Sequence, residues 1–408
     1  MNKFIKNKLI FEKYKNIIPA ACSTLAKSPN RLFADYSPFV IRSANGAFFI
    51  DADNNKWIDC EMAMGSVVWG HARKEINSEI ITQLNKGCHF SLPSIREYEL
   101  ADILLNRYPM YSSIKFFKNG ADSVYAAVKA ARYLTGKSAT LSLEYHGWLD
   151  WSICGSYNVK PQDVGIPMSS TIDYIYCSKE QLLNTVNDNR DRLCAVVLCP
   201  ANYSPDLLMQ VKNFCNNSNI LLIFDEVTSG IRFGYGGATV AYDIYPDFLC
   251  LSKGLTNGLP LAVVLGKKYN MLIMEKLKIS SAHAGENISL AAAIACEKLL
   301  EKNKTCWPSW KNQTNKIISD INEIITKFHA KLFLSGNAGW FSIRSDSNDF
   351  WSDPFREYFV KYLATKNIYT KGYILFSDAH TQNEINYVGE NICKCLTDYC
   401  NGIELNSL

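Results

Sequence analysis

A chain of 408 residues has room for about two or three packing units and a sizeable core. With 48% hydrophobic and 20% charged residues it reads as an ordinary folded protein, neither disordered nor fibrous. Its 43 Lys and Arg against 39 Asp and Glu leave a formal net charge of +4, too little over this length to imply a nucleic-acid partner.

The chain opens with a polar helix-like stretch in which Lys6, Lys8, Glu12, Lys13 and Lys15 break up the apolar residues before any signal-peptide core can form. Alternating segments at Phe39 to Arg42 and Ala47 to Ile50 flank the turn Ala44-Asn45-Gly46 and predict a hairpin. A second turn over Asp51 to Lys56 precedes a short apolar segment at Trp57 and Ile58. From about residue 98 helical periods alternate with short apolar runs, the layout of a mostly parallel sheet with crossover helices. Strands are expected at Ile114 to Lys118, Thr140 to Leu143, Ala195 to Leu198, Ile220 to Phe224, Phe248 to Leu251 and Ala262 to Leu265. Beyond about residue 310 a mixture returns, with a strand-like segment at Phe341 to Arg344 and a helix over Ile385 to Tyr399.

The 14 cysteines are scattered, many of them inside apolar runs, where Cys behaves as a small buried hydrophobe. The tightest group, Cys393, Cys395 and Cys400, lacks a matching set of histidines and reads as thiols, not as a metal site. No run approaches the roughly 18 apolar residues of a membrane span. A cytoplasmic protein with no membrane or nucleic-acid partner and no metal is the expectation.

In open parallel sheets, ligands sit beyond the carboxyl ends of the strands. The first run ends in Asn119-Gly120-Ala121-Asp122, followed by Val124, Ala127, Val128, Ala131 and Leu134 at helical spacing and by Gly136 as a stop. Asn119 is placed to cap that helix, and Gly120 at its start lets exposed N–H groups approach a phosphate. The run Ile220 to Phe224 ends in Asp225-Glu226, where a carboxylate among apolar neighbours calls for a positive partner such as a protonated ring nitrogen. The run Phe248 to Leu251 ends in Ser252-Lys253-Gly254, where a desolvated Lys is suited to forming a Schiff base with an aldehyde. Singly, each charge is more often a satisfied ion pair; together with the phosphate cradle they suggest pyridoxal phosphate. Tyr145-His146-Gly147 offers a flat ring at the same sheet edge, suited either to stacking on a heteroaromatic cofactor or to an interface.

These motifs, with Ala130-Ala131-Arg132, Thr135-Gly136, Phe224 through Arg232, Tyr245-Pro246-Asp247 and Leu251 through Gly254, resemble the class III pyridoxal-phosphate aminotransferases. Within that class the chain is most similar to the glutamate-1-semialdehyde aminomutase group and to relatives often linked to surface-sugar pathways. The resemblance implies a fold type I enzyme of α/β class, with a mostly parallel seven-stranded sheet in a large domain and a smaller domain from both termini. The boundaries expected are 1–60 and 311–408 for the small domain and 61–310 for the large one. It implies Lys253 as the Schiff-base lysine and general acid/base, and Asp225 as the partner of the pyridine nitrogen. Val227 and Tyr145 would flank the ring, and Gly120 and Ala121 would donate backbone hydrogen bonds to the phosphate. It further implies a homodimer in which Ser280 to Glu286, including Ala282, reaches across to the partner.

The chain departs from many relatives at Ala121 and Ala282, where hydroxyl side chains that would bond the phosphate are common. Ser281, Ser123 or water would have to compensate. Cys199 stands where many relatives have Glu before Pro, and Ser204 lies near the position of an Asn that touches the cofactor in the aminomutase. The leading reading is an aminotransferase acting on a small-molecule amino donor and a carbonyl acceptor. Its rivals are an intramolecular aminomutase and a catalytically degenerate binding subunit on the same fold. A nicotinamide dehydrogenase is disfavoured, because Gly234, Gly236 and Gly237 lack the strand-turn-helix setting of a dinucleotide site.

Overall fold

A computed structural model describes residues 3–33, 35–142, 144–154, 160–166, 174–345 and 350–403; Leu143, expected to end a strand, lies outside the described residues. The chain divides into two compact units, one from residues 1–74 and 306–408 and the other from residues 75–305.

The first unit begins with the helix Ile5–Tyr14 and the hairpin of β1 (Ile41–Asn45) and β2 (Phe48–Asp51), which turns at Gly46 with φ +57°. The ladder starts later than the alternation from Phe39 indicates, because the N–H groups of Phe39 and Val40 both donate to the Asn7 side chain, at 2.8 and 2.7 Å. Strand β3 (Lys56–Asp59) pairs antiparallel with β2.

The second unit is built on a seven-stranded sheet. In chain order its strands are β4 (Ser113–Phe117), β5 (Ala139–Ser142), β6 (Tyr174–Tyr176), β7 (Leu193–Leu198), β8 (Leu221–Glu226), β9 (Phe248–Leu251) and β10 (Ala262–Gly266). Their spatial order is β4-β10-β9-β8-β7-β5-β6, with β10 antiparallel to both neighbours and the others parallel. Because side chains alternate along each strand, the sheet feeds two cores. Val196, Leu222, Phe224, Leu249 and Val263 meet the helices Ile95–Arg107, Pro205–Asn217 and Asn287–Lys302 on one face. Val197, Ile223, Cys250 and Val264 meet Val124, Ala127 and Ala131 of the helix Gly120–Thr135 on the other. That both faces are covered explains why the strands are continuous apolar runs.

The chain then returns to the first unit with β11 (Leu332–Asn337), β12 (Trp340–Ser345), β13 (Ile368–Tyr369) and β14 (Tyr373–Ile374). Strand β13 pairs parallel with β3, setting Ile368 opposite Ile58, so residues far apart in sequence share one small sheet. Ala379-His380-Thr381 has a structural role here. Thr381 forms a capping box with Glu384 at the start of the helix Gln382–Cys400, and His380 Nδ1 accepts the Ser377 N–H at 3.0 Å. Among the described residues, no helix is long and apolar enough to cross a membrane.

Candidate active site

The register of β8 against β9 sets Asp225 opposite Cys250 and Glu226 opposite Leu251, so Asp225 and Lys253 leave adjoining strand ends. Asp225 is largely buried, and both its oxygens are engaged. Its Oδ1 accepts the Val227 N–H at 3.0 Å, and its Oδ2 lies 2.6 Å from His146 Nδ1. The other ring nitrogen, Nε2, lies 2.5 Å from Ser142 Oγ, and the imidazole stacks on Trp151 at 6.1 Å. Burial works against a charged imidazole, yet the hydrogen bond and charge of Asp225, with Glu144 behind, hold the His146 pKa above its usual value. The sequence marked His146 only as the middle of a motif; its role as the partner of Asp225 depends on β5 and β8 ending at the same edge.

Lys253 has a left-handed backbone, φ +44°, at the turn where β9 passes into the short helix Lys253–Leu255. Non-glycine residues persist in that region only where their surroundings enforce it, and functional sites are where they cluster. Its half-buried Nζ donates to Thr228 Oγ1 at 2.8 Å, so the segment after β8 supplies a rest position for the amine that the sequence reading did not identify.

Close packing gathers the remaining residues. A Cβ on Gly120 would come within 2.7 Å of both Val227 methyls, and one on Gly147, at φ +109°, within 2.5 Å of Ala121 Cβ. The missing side chains thus let the turn at 119–121, the loop at 145–147 and the end of β8 close on one another. Asn119 occupies the N-cap position, but its side chain gives no capping bond and its amide donates to Asp122 at 2.9 Å. The N–H groups of Gly120 and Ala121 donate to no backbone carbonyl among the described residues, leaving two donors at the positive end of a 16-residue helix. Ser123 is fully buried and its hydroxyl donates to the Gly120 carbonyl at 2.8 Å, so it does not substitute for a hydroxyl at Ala121. Gly120→Ala should therefore destabilise the unit by about 1–3 kcal/mol through overpacking and lower its cofactor occupancy. Thermal melts of that variant, and of the double variant with Val227→Ala to reopen the space, check this; no rescue would contradict it.

Tyr145 is 55% exposed at the rim of the same loop, whereas His146 beside it is buried. Ala282 lies exposed in the loop before the helix Asn287–Lys302. That loop is anchored by Glu286, whose carboxylate caps the helix and pairs with Lys118 at 2.7 Å. A carboxylate also stands beside Cys199: Glu144 Oε2 accepts the Cys199 N–H at 3.4 Å, arriving from the end of β5. Of the glycines at 234, 236 and 237, the last serves an internal purpose. Gly237, at φ +66°, lets the chain fold over Glu226, which accepts from Ser229 Oγ at 2.7 Å and from the N–H groups of Ala238 and Thr239 at 3.0 and 2.7 Å.

A buried acid and a strained lysine on neighbouring strand ends, below a helix start with open donors, define the fold type I class of pyridoxal-phosphate transferases. Comparison with known structures agrees on the fold: a transaminase with PLP bound superposes with a TM-score of 0.85 at 21% identity, covering 97% of this chain and 98% of the other. The chain belongs to the class III aminotransferase family, whose model matches residues 33–332. Glutamate-1-semialdehyde 2,1-aminomutase of Nitrosopumilus maritimus is 30% identical, over 94% of this chain and 96% of the relative. The 3-aminobutyryl-CoA aminotransferase of Cloacimonas acidaminovorans is 25% identical, over 97% and 98% of the two chains.

Proposed function

We propose that the chain is a pyridoxal-phosphate-dependent aminotransferase that moves an amino group from a small-molecule amino donor to a carbonyl acceptor. The observation that carries this reading is the placement of Asp225 and Lys253 on the adjoining ends of β8 and β9. The residues present fit the cofactor. Gly120 and Ala121 would give its phosphate two backbone N–H donors, and Val227, held against Gly120, would bound one ring face. Tyr145 is taken as the residue near the other face. Asp225 would hold the ring nitrogen, its carboxylate fixed by His146 and by the Val227 N–H. When bound, the group supplies an aldehyde and an electron-withdrawing ring. Lys253 Nζ, released from Thr228, would serve as the base that takes the proton from the donor carbon.

An intramolecular aminomutase is the second reading, favoured by the similarity over nearly whole length to a glutamate-1-semialdehyde 2,1-aminomutase. It uses the same residues without an external keto acid. The presence of both Lys253 and Asp225 weighs against a degenerate binding subunit. The test is the visible absorption spectrum of the purified protein before and after a panel of amines, followed by product analysis with and without an added keto acid. Spectral change with product only when keto acid is present is the result expected of an aminotransferase. A rearranged amine without keto acid would establish the aminomutase, and the absence of cofactor absorption would overturn both.

The active unit is proposed to be a homodimer. Ile81, Leu84, Leu92, Ile95 and Tyr98 are exposed within one stretch of sequence in the second unit, apolar side chains that a partner surface would cover. A second copy of this chain would cover them and bring Ala282 to the partner. Sedimentation of the holoenzyme should give twice the chain mass, with cofactor lost on dissociation; an active, cofactor-loaded monomer at micromolar concentration would contradict this.

A further inference from the structure

His146 is surrounded by acceptors. Asp225 Oδ2, from β8, meets its Nδ1, Ser142 Oγ, from β5, meets its Nε2, and the Val197 carbonyl, from β7, also receives a hydrogen bond from the imidazole. A carboxylate and a carbonyl only accept, so the imidazole satisfies them best as a cation that donates from both nitrogens. Its side chain is fully buried and Trp151 stacks on it, which keeps water from sharing that charge. Asp225 then faces two cations with one negative charge: His146, and the protonated ring nitrogen of the cofactor it is placed to hold. A buried surplus of positive charge is costly, and one of the two cations would shed its proton unless a second negative charge stood nearby.

Glu144 supplies that charge. It leaves the end of β5 two residues before His146, with its side chain 19% exposed and its Oε2 3.7 Å from His146 Nε2. That distance is too long for a hydrogen bond and short enough for the charge to act. Other groups fix the carboxylate in place. The Cys199 N–H donates to Oε2 and the Asn202 side-chain amide to Oε1, both at 3.4 Å, and the Tyr203 hydroxyl donates as well. All three donors lie on the segment that follows β7, so the carboxylate is held by the ends of two neighbouring strands. The Glu144 N–H in turn donates at 3.3 Å to Ser142 Oγ, the hydroxyl that meets His146.

The titratable groups that face Glu144 are His146, Tyr203, Cys199 and Cys177. Burial and the Glu144 charge push the phenol and both thiols upward, so they stay neutral, and His146 is the cation with which this carboxylate pairs. Lys179 is engaged elsewhere, with the Asn202 carbonyl at 3.0 Å and the face of Tyr203. Burial raises the Glu144 carboxyl, and the charge of His146 and the three donors oppose that rise.

We propose that Glu144 is a positioning residue for amino transfer: its charge balances His146, which leaves the charge of Asp225 to the protonated ring nitrogen of the cofactor. The inference rests on the amino-transfer reading and adds to it a residue that acts only through His146 and Asp225.

The test compares Glu144→Gln, which keeps the shape and removes the charge, with Glu144→Asp, which keeps the charge. In the cofactor-free full-length proteins, nitrogen NMR of the imidazoles, with His146→Gln to assign the signal, should show the His146 pKa lowered by about 1–3 units in Glu144→Gln. In the holoenzyme, loaded with pyridoxal phosphate isotopically labelled at its ring nitrogen, that nitrogen should lose its proton about one unit lower in pH. Above that pH the protonated form, and kcat with it, should fall about tenfold, with the KM for the amine unchanged. Glu144→Asp should keep both pKa values near those of the parent. A merely structural Glu144 would lower the melting temperature of its variants and leave both pKa values in place, which would overturn the inference. A His146 shift without a shift at the ring nitrogen, or equal shifts in Glu144→Asp and Glu144→Gln, would overturn it too. A parent protein that takes up no cofactor overturns the amino-transfer reading and the role of Glu144 together, whereas cofactor uptake with unmoved pKa values overturns the role of Glu144 alone. If Glu144→Gln does not fold, Glu144→Ala, at a place partly open to water, should move both pKa values in the same direction.

Discussion

Lys253→Ala is expected to remove turnover with every amine tested, a loss of about 10²–10⁴-fold from proton transfer alone and more from the lost attachment point. The expectation rests on position. Nζ is half-buried at the end of β9, its backbone is held at φ +44°, and Thr228 Oγ1 receives it at 2.8 Å. Lys253→Arg sharpens the test. A guanidinium keeps the positive charge but does not give up its proton in proteins, so a residue whose role were only to supply charge would tolerate the change. The Arg variant should be as inactive as the Ala variant while its melting temperature stays near that of the parent. Single-turnover measurements with excess amine would show whether any proton transfer remains; substantial activity in either variant would remove Lys253 from the mechanism.

The second large effect is expected at Asp225. Asp225→Asn keeps the shape and the Val227 contact but removes the charge, and turnover should fall by about 10²–10³-fold, the scale for losing one preorganised electrostatic contact. The same substitution should alter the pH dependence of stability. The His146 pKa is raised in the folded protein chiefly by Asp225, against the effect of burial. A raised cationic group contributes stability that is fully present below its unfolded pKa of about 6.5 and fades as pH rises through the folded value. The parent's melting temperature should therefore carry a component that declines with rising pH above about 6.5, and Asp225→Asn should flatten it. His146→Gln should flatten it as well while leaving Asp225 in place, with a smaller loss of turnover because His146 acts through Asp225. Near-normal turnover in Asp225→Asn would contradict the assignment to the ring nitrogen. An unaltered pH slope would contradict the pairing with His146.

What was legible in the sequence follows from burial. Strands β7 to β10 are covered on both faces and read as short apolar runs, and the first charged residues to follow two of those runs, Asp225 and Lys253, stand out because a charge at such a place needs a reason. The same contrast revealed Gly120 at the start of its helix. The strand Tyr174–Tyr176 at the sheet edge and the two-residue strands Ile368–Tyr369 and Tyr373–Ile374 are too short for any period to show. Tertiary partnerships were equally hidden. His146 meets Asp225 across 79 positions of sequence and Lys253 meets Thr228 across 25, distances at which no local pattern operates. Asn119 illustrates the reverse error: a good capping residue at the capping position spends its side chain on Asp122 instead.

The central claim, that Lys253 is the residue to which the cofactor is joined, is tested most directly by borohydride treatment of the purified holoenzyme followed by proteolysis and mass mapping. The reduced cofactor's mass is expected on the single peptide that carries Lys253, with the label absent from Lys253→Ala. A label on any other lysine, or none on a protein that retains full activity, would contradict it.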